Sequence, residues 1–122
     1  MADPARKRAE QRGRRSETFA ALFLRLKGYK ILEMRAKTPL GEVDIIAQRG
    51  RVICFIEVKA RKTRDNAAHA VPPHNWQRIG QAADFWMKRR QQYADYGWRY
   101  DLIAIGQRQW PLHITDAWRP GD

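Results

Sequence analysis

A chain of 122 residues suits one domain with a modest core, and 43% hydrophobic content with five tryptophans excludes a disordered polypeptide. Twenty-four Lys and Arg against 13 Asp and Glu give a net charge of +11. That excess predicts a polyanionic partner, nucleic acid before an anionic membrane surface, and it fits a ribosomal or purely structural RNA-binding role equally well.

Residues 1–15, MADPARKRAEQRGRR, read as a basic flexible tail, with no apolar core of a secretory signal behind them. Arg6, Lys7, Arg8, Arg12, Arg14 and Arg15 would add salt-dependent affinity for nucleic acid without reading its sequence. A helix is predicted over residues 16–27, with Ser16 as N-cap, an apolar stripe of Phe19, Leu22, Phe23 and Leu26, and Gly28 as its end. Residues 29–35 form a weakly patterned first strand. A turn at Thr38-Pro39-Leu40-Gly41 leads to a second strand over 42–48. A hairpin at Arg49-Gly50 then opens a third strand over 51–60. The run 52–58 is almost wholly apolar and predicts a strand buried on both faces. Cys54 in its middle has no cysteine partner and reads as a small buried hydrophobe. A lone cysteine and the lack of any stretch near ~20 apolar residues predict a cytoplasmic protein with no membrane association.

Residues 61–73 lack periodicity and predict an exposed loop; residues 74–93 carry Trp76, Ile79, Ala83, Trp86 and Tyr93 on one helical stripe. Short strands are expected over 99–105 and 110–115. No repeat or domain boundary interrupts 16–122, which reads as a single domain. The order α-β-β-β-α-β-β predicts an α/β fold with a mixed central sheet flanked by helices.

Within that frame, Glu57 and Lys59 are two residues apart on the third strand and project from one face at roughly 7 Å spacing. A turn at Arg49-Gly50 sets Asp44 opposite Phe55, which makes Glu57 its diagonal neighbour at roughly 7–8 Å on the same face. Two carboxylates held close repel unless one protonates or a cation bridges them. A hard divalent ion, Mg²⁺ or Mn²⁺, suits such oxygen ligands. Lys59 beside it would orient an attacking water and neutralise charge on phosphorus, the requirements of phosphodiester hydrolysis. Spacing alone fits a plainer picture too, with Glu57 paired to Lys59 or Arg61 at a strand end for about 0–1 kcal/mol.

GEVDII followed by FIEVKARK, preceded by a helix with Glu17, resembles the YraN-type bacterial family of the restriction-endonuclease-like superfamily. The wider pattern is the PD-(D/E)xK nuclease core, as in archaeal Holliday-junction resolvases. The resemblance runs from about Gly13 to Ile105 and includes RYDLIAI. It implies a restriction-endonuclease-like core in which Asp44 and Glu57 ligate the metal, the Val58 carbonyl adds a ligand, and Lys59 is the catalytic lysine. Glu17 would reach the same metal, although a first-turn acid at a helix N-terminus needs no such role. The resemblance also allows a homodimer. The chain departs from that family at Arg35, where Asn is common, and at Asn75, where Lys is common.

Other candidates are weaker. His69, His74 and His113 are scattered and, with one cysteine, form no zinc cluster. No phosphate-cradling glycine loop and no nucleophile elbow occur. Arg61, Lys62, Arg64 and Arg78 are candidate phosphate contacts, and Trp76 a candidate base-stacking residue. Asp101 reads as a structural partner of Arg99. The expected function is metal-dependent hydrolysis of phosphodiesters in DNA, favoured over RNA, with branched or damaged DNA as a candidate substrate. The alternative is a non-catalytic nucleic-acid-binding module on the same fold.

Overall fold

The apolar run is the central strand of the molecule. In a computed structural model that describes residues 3–121, Val52–Ala60 (β3) lies in the middle of a five-stranded sheet. Its neighbours in spatial order are Lys30–Thr38 (β1) and Gly41–Arg49 (β2) on one side, Gly97–Ile105 (β4) and Leu112–Trp118 (β5) on the other. All pairs are antiparallel except β3 with β4, which is parallel. A parallel pair needs a long crossover, and the chain supplies it through Arg64–Ala68 (α2), Pro73–Lys88 (α3) and a 3₁₀ turn at Gln91–Tyr93.

The side-chain period of two explains why β3 reads as continuous apolar sequence. Ile53 and Phe55 join a core with Trp76, Ile79, Ala83 and Trp86 of α3. Cys54, Ile56 and Val58 join a second core with Ala20, Ala21 and Leu24 of Pro4–Leu26 (α1). The result is a mixed α/β sheet with a helix on each face.

Several expected bounds shift. The helix α1 begins at Pro4, capped by the Asp3 carboxylate, so residues 4–15 are helical turns rather than a tail. Met1, Ala2 and Asp122, at the limits of the expected tail and domain, lie outside the described residues. The predicted stripe on α1 is also corrected: Phe19, Leu22 and Leu26 are 42%, 52% and 81% exposed, and the buried face is Glu17, Ala20, Ala21 and Leu24. Both sets have helical spacing, and the small alanines win because they let the helix lie close on the sheet. Gly28, at φ 92°, ends the helix as predicted.

The strand β1 continues past its expected end at 35 to Thr38, where the expected turn to Gly41 follows, and its weak patterning has two local causes. The register with β2 shifts between Ile31 and Glu33, and Arg35 sits at φ 50°, where a residue with a Cβ is uncommon. The expected loop 61–73 contains α2, capped by the Thr63 hydroxyl on the Asn66 N–H. The helix α3 stops at Lys88, yet Tyr93 still stacks on Trp86 with ring centroids 5.8 Å apart. In β5 a register shift opposite Tyr100 and Leu102 turns the Asp116 N–H towards Asp101.

Candidate functional site

The β2–β3 register is offset from the expected one. Arg49 pairs with Val52 and the ladder continues through Ile45 with Ile56, so the connection is Gly50-Arg51. Carried one step further, this register sets Asp44 directly against Glu57 rather than diagonal to it. The offset is even, so the two carboxylates keep a common face, whereas an odd slip would have separated them. Beyond Ile45 the Asp44 side chain takes over from the ladder: its Oδ2 accepts the Val58 N–H at 2.8 Å. Regular alternation also breaks here, since Val43 packs in the α3 core while Ile45 packs in the α1 core. Arg35, opposite this point on β1, carries the left-handed φ.

Glu17, Asp44, Glu57, Val58, Lys59 and Arg61 line one cleft of about 770 Å³ at the C-terminal ends of the parallel pair β3 and β4. Ala9, Arg12, Gly13, Arg15 and Ser16 of α1 form its other wall. Gly106 lines it too, and a Cβ there would overlap the Gln109 side chain and the Arg64 backbone nitrogen. Arg12 and Arg15 were legible only as part of a charge run. The signal that places them in the cleft is helical spacing from Ser16 and Glu17 back to Ala9, which matters only once α1 is known to start at Pro4. Among the other candidates, Lys62, Arg64 and Arg78 do not line the cleft, and the Arg64 guanidinium donates to the Trp110 carbonyl at 3.0 Å. Trp76 is corrected: it is buried and stacked on Trp118 with centroids 6.2 Å apart, so it presents no free face to a base.

The electrostatics of the cleft centre on Glu57. Burial pushes its carboxyl up to about 9, helped by a hydrogen bond to Asp44 and by the Asp44 charge, while Lys59 opposes the shift. The acid pair therefore shares a proton at neutral pH, with protonated Glu57 donating to Asp44. Glu17 is also raised, first by burial, with Arg35 pulling the other way. The Arg35 Nε donates to Glu17 Oε1 at 2.6 Å and to Oε2 at 3.1 Å.

Hard oxygen donors that share a proton suit a small divalent cation, which would replace that proton. Asp44 and Glu57 fit that role. Glu17 does not fit as it stands, because its carboxylate is engaged by Arg35. Among the described residues, no group of three or more His, Cys, Asp or Glu side chains has metal-holding geometry.

Two further features lie apart from this cleft. Asp101 is fully buried and accepts from Arg99 Nε and Nη2, both at 2.8 Å, from the Asp116 N–H at 3.0 Å, and from His113 Nε2 at 2.8 Å. Lys27 donates to His113 Nδ1 at 2.6 Å, and since an ammonium only donates, His113 carries its proton on Nε2. Asp101 is thus the structural partner of Arg99 that the sequence suggested. A larger cleft of about 1210 Å³, lined by Trp98, Tyr100 and Trp118, contains none of Glu17, Asp44, Glu57 or Lys59.

The fold and cleft define a basic, mixed α/β protein with a five-stranded sheet, helices on both faces, and a paired-carboxylate and lysine cleft at the ends of its parallel strands. Residues 16–105 match the uncharacterised protein family UPF0102, and the chain belongs to that family, the YraN-type family that its motifs resemble. The matched segment contains Glu17, Asp44, Glu57 and Lys59. Similar relatives are a UPF0102 protein of Chelativorans sp., 48% identical over 93% of this chain and 92% of its own length. Another, from Parvibaculum lavamentivorans, is 46% identical over 88% of this chain and 81% of its own length. A third, from Agrobacterium fabrum, is 46% identical over 92% of each chain. Among the described residues, no helix is long and apolar enough to cross a membrane.

Proposed function

We propose that this chain has a restriction-endonuclease-like core and acts as a metal-dependent endonuclease, hydrolysing phosphodiesters in DNA with branched or damaged DNA as the favoured substrate. One observation carries the reading: Asp44, Glu57 and Lys59 line one cleft, with the Asp44 carboxylate held there by the Val58 N–H at 2.8 Å. Asp44 and Glu57, with the Val58 carbonyl, would hold Mg²⁺ or Mn²⁺. Such an ion, when bound, polarises a phosphoryl oxygen and lowers the pKa of its water.

The remaining work falls to the chain itself. Val58 N–H holds the Asp44 carboxylate by one oxygen, which fixes its orientation and leaves the other oxygen for a ligand. Lys59 supplies a flexible ammonium donor towards the attacking water and the phosphorus oxygens. Arg12 and Arg15 on one wall and Arg61 on the other give the cleft the charge to hold backbone phosphates without reading bases.

The second reading, a nucleic-acid-binding module without catalysis, is favoured by the engagement of Glu17 with Arg35. A panel of linear, single-stranded, flap and four-way-junction DNA and RNA with Mg²⁺ or Mn²⁺ separates them. Hydrolysis predicts metal-dependent cleavage that falls at least about 100-fold in Asp44→Ala and Lys59→Ala while binding persists. Binding by the wild type with no cleavage of any substrate selects the second reading.

A further inference from the structure

The acidic residue that α1 brings to the cleft already has a cation. Glu17 is 6% exposed, and the Arg35 Nε spans both of its carboxylate oxygens at 2.6 and 3.1 Å. Three facts set Arg35 there. Its backbone takes the left-handed φ of 50° at the point on β1 that faces Asp44. A Cβ on Gly13 would lie in ordinary contact, 3.7 Å from an Arg35 terminal nitrogen, so the guanidinium packs beside α1 at the cleft wall. The negative charges of Glu17, Glu42 and Asp44 all act on the Arg35 guanidinium. A non-glycine residue held in that backbone region points to a role for its side chain.

We infer that Arg35 is the resident counter-charge of Glu17, and that it withdraws Glu17 from metal coordination and leaves Asp44 and Glu57 as the ligating pair. The inference rests on the reading of that pair as a divalent-ion site. In this arrangement Glu17 is a positioning residue. It neutralises Arg35 and holds α1 against β1, and a divalent ion entering the cleft meets two available carboxylates instead of three. Arg35 then sets the strength of metal binding: its removal frees a third hard oxygen ligand beside the pair, and ligand number and charge govern divalent affinity in oxygen sites.

Binding of Mn²⁺ to the intact chain, followed by electron paramagnetic resonance of the free ion at pH 7.5 without nucleic acid, tests this. Glu17→Gln/Arg35→Gln, which removes both charges together, is expected to bind within about twofold of the wild type, and Arg35→Gln at least about tenfold more tightly. Arg35→Lys, which keeps the charge, stays near the wild type. The inference is overturned if the double variant binds about tenfold or more weakly than the wild type, or if folded Arg35→Gln binds as the wild type does. Thermal melting without metal identifies a variant that does not fold; should Arg35→Gln fail, the double variant alone decides between the two outcomes. Asp44→Asn keeps the underlying reading separate. If it binds Mn²⁺ as the wild type does, the paired-carboxylate site itself is wrong, whatever Glu17 does.

Discussion

At the residue scale, Glu57 is the most informative group in the protein. Its placement beside Asp44 and Lys59 was legible, because alternation along β3 and a short hairpin suffice to put them on one face. The register of β2 on β3 was not, because the turn sits one residue later than the Arg49-Gly50 signal suggests and the ladder stops at Ile45. Nor was the Arg35 and Glu17 pair: it depends on one left-handed backbone angle and on how α1 lies against β1, and neither leaves a pattern in sequence. The raised Glu57 has a stability consequence. Between its usual carboxyl value and about 9 the folded chain holds a proton that the unfolded chain releases. Stability therefore falls as pH rises through that window, by about 1.4 kcal/mol per pH unit for this one group, and is unaffected by it below the window. Glu57→Gln removes the effect. Urea melts of metal-free protein at pH 4, 5, 7 and 9 are expected to show the variant gaining on the wild type as pH rises, by about 3 kcal/mol near pH 7, and no gain at pH 4. A constant difference across the range would mean that Glu57 ionises normally.

At the element scale, α1 is where sequence reasoning and structure part. The stripe of Phe19, Leu22 and Leu26 satisfies helical periodicity better than the true buried face of Glu17, Ala20, Ala21 and Leu24, which includes a charge and two small residues. Periodicity measures apolarity and cannot see that a close helix–sheet contact selects alanine, or that a buried acid is offset by an arginine from another strand. Leu24→Ala should cost about 2–5 kcal/mol and Leu22→Ala under about 1 kcal/mol in chemical denaturation. Equal losses at the two positions would place the helix on its other face. The sheet was more legible: β3 is long, apolar and unbroken, and β4 contains the short strand expected over 99–105. The strand β5 was misplaced because its register shift is set by Asp101 taking the Asp116 N–H, a tertiary demand.

At the scale of the whole molecule, a net charge of +11 surrounds a cleft whose floor is acidic. On the proposed reading, arginines on both walls would attract a polyanion, while the carboxylates on the floor would repel phosphate until their charge is offset. A proton on Glu57 offsets it in the metal-free protein, and on the proposed reading hydrolysis would require a divalent ion to take that proton's place. Mn²⁺ titration of the intact chain by calorimetry, at pH 6, 7 and 8 and in buffers of different ionisation enthalpy, measures that exchange directly. Exchange of the proton for the ion entails release of about one proton per ion bound and an affinity that climbs about tenfold per pH unit. Binding that ignores pH and releases no proton, or no binding at all, would contradict it.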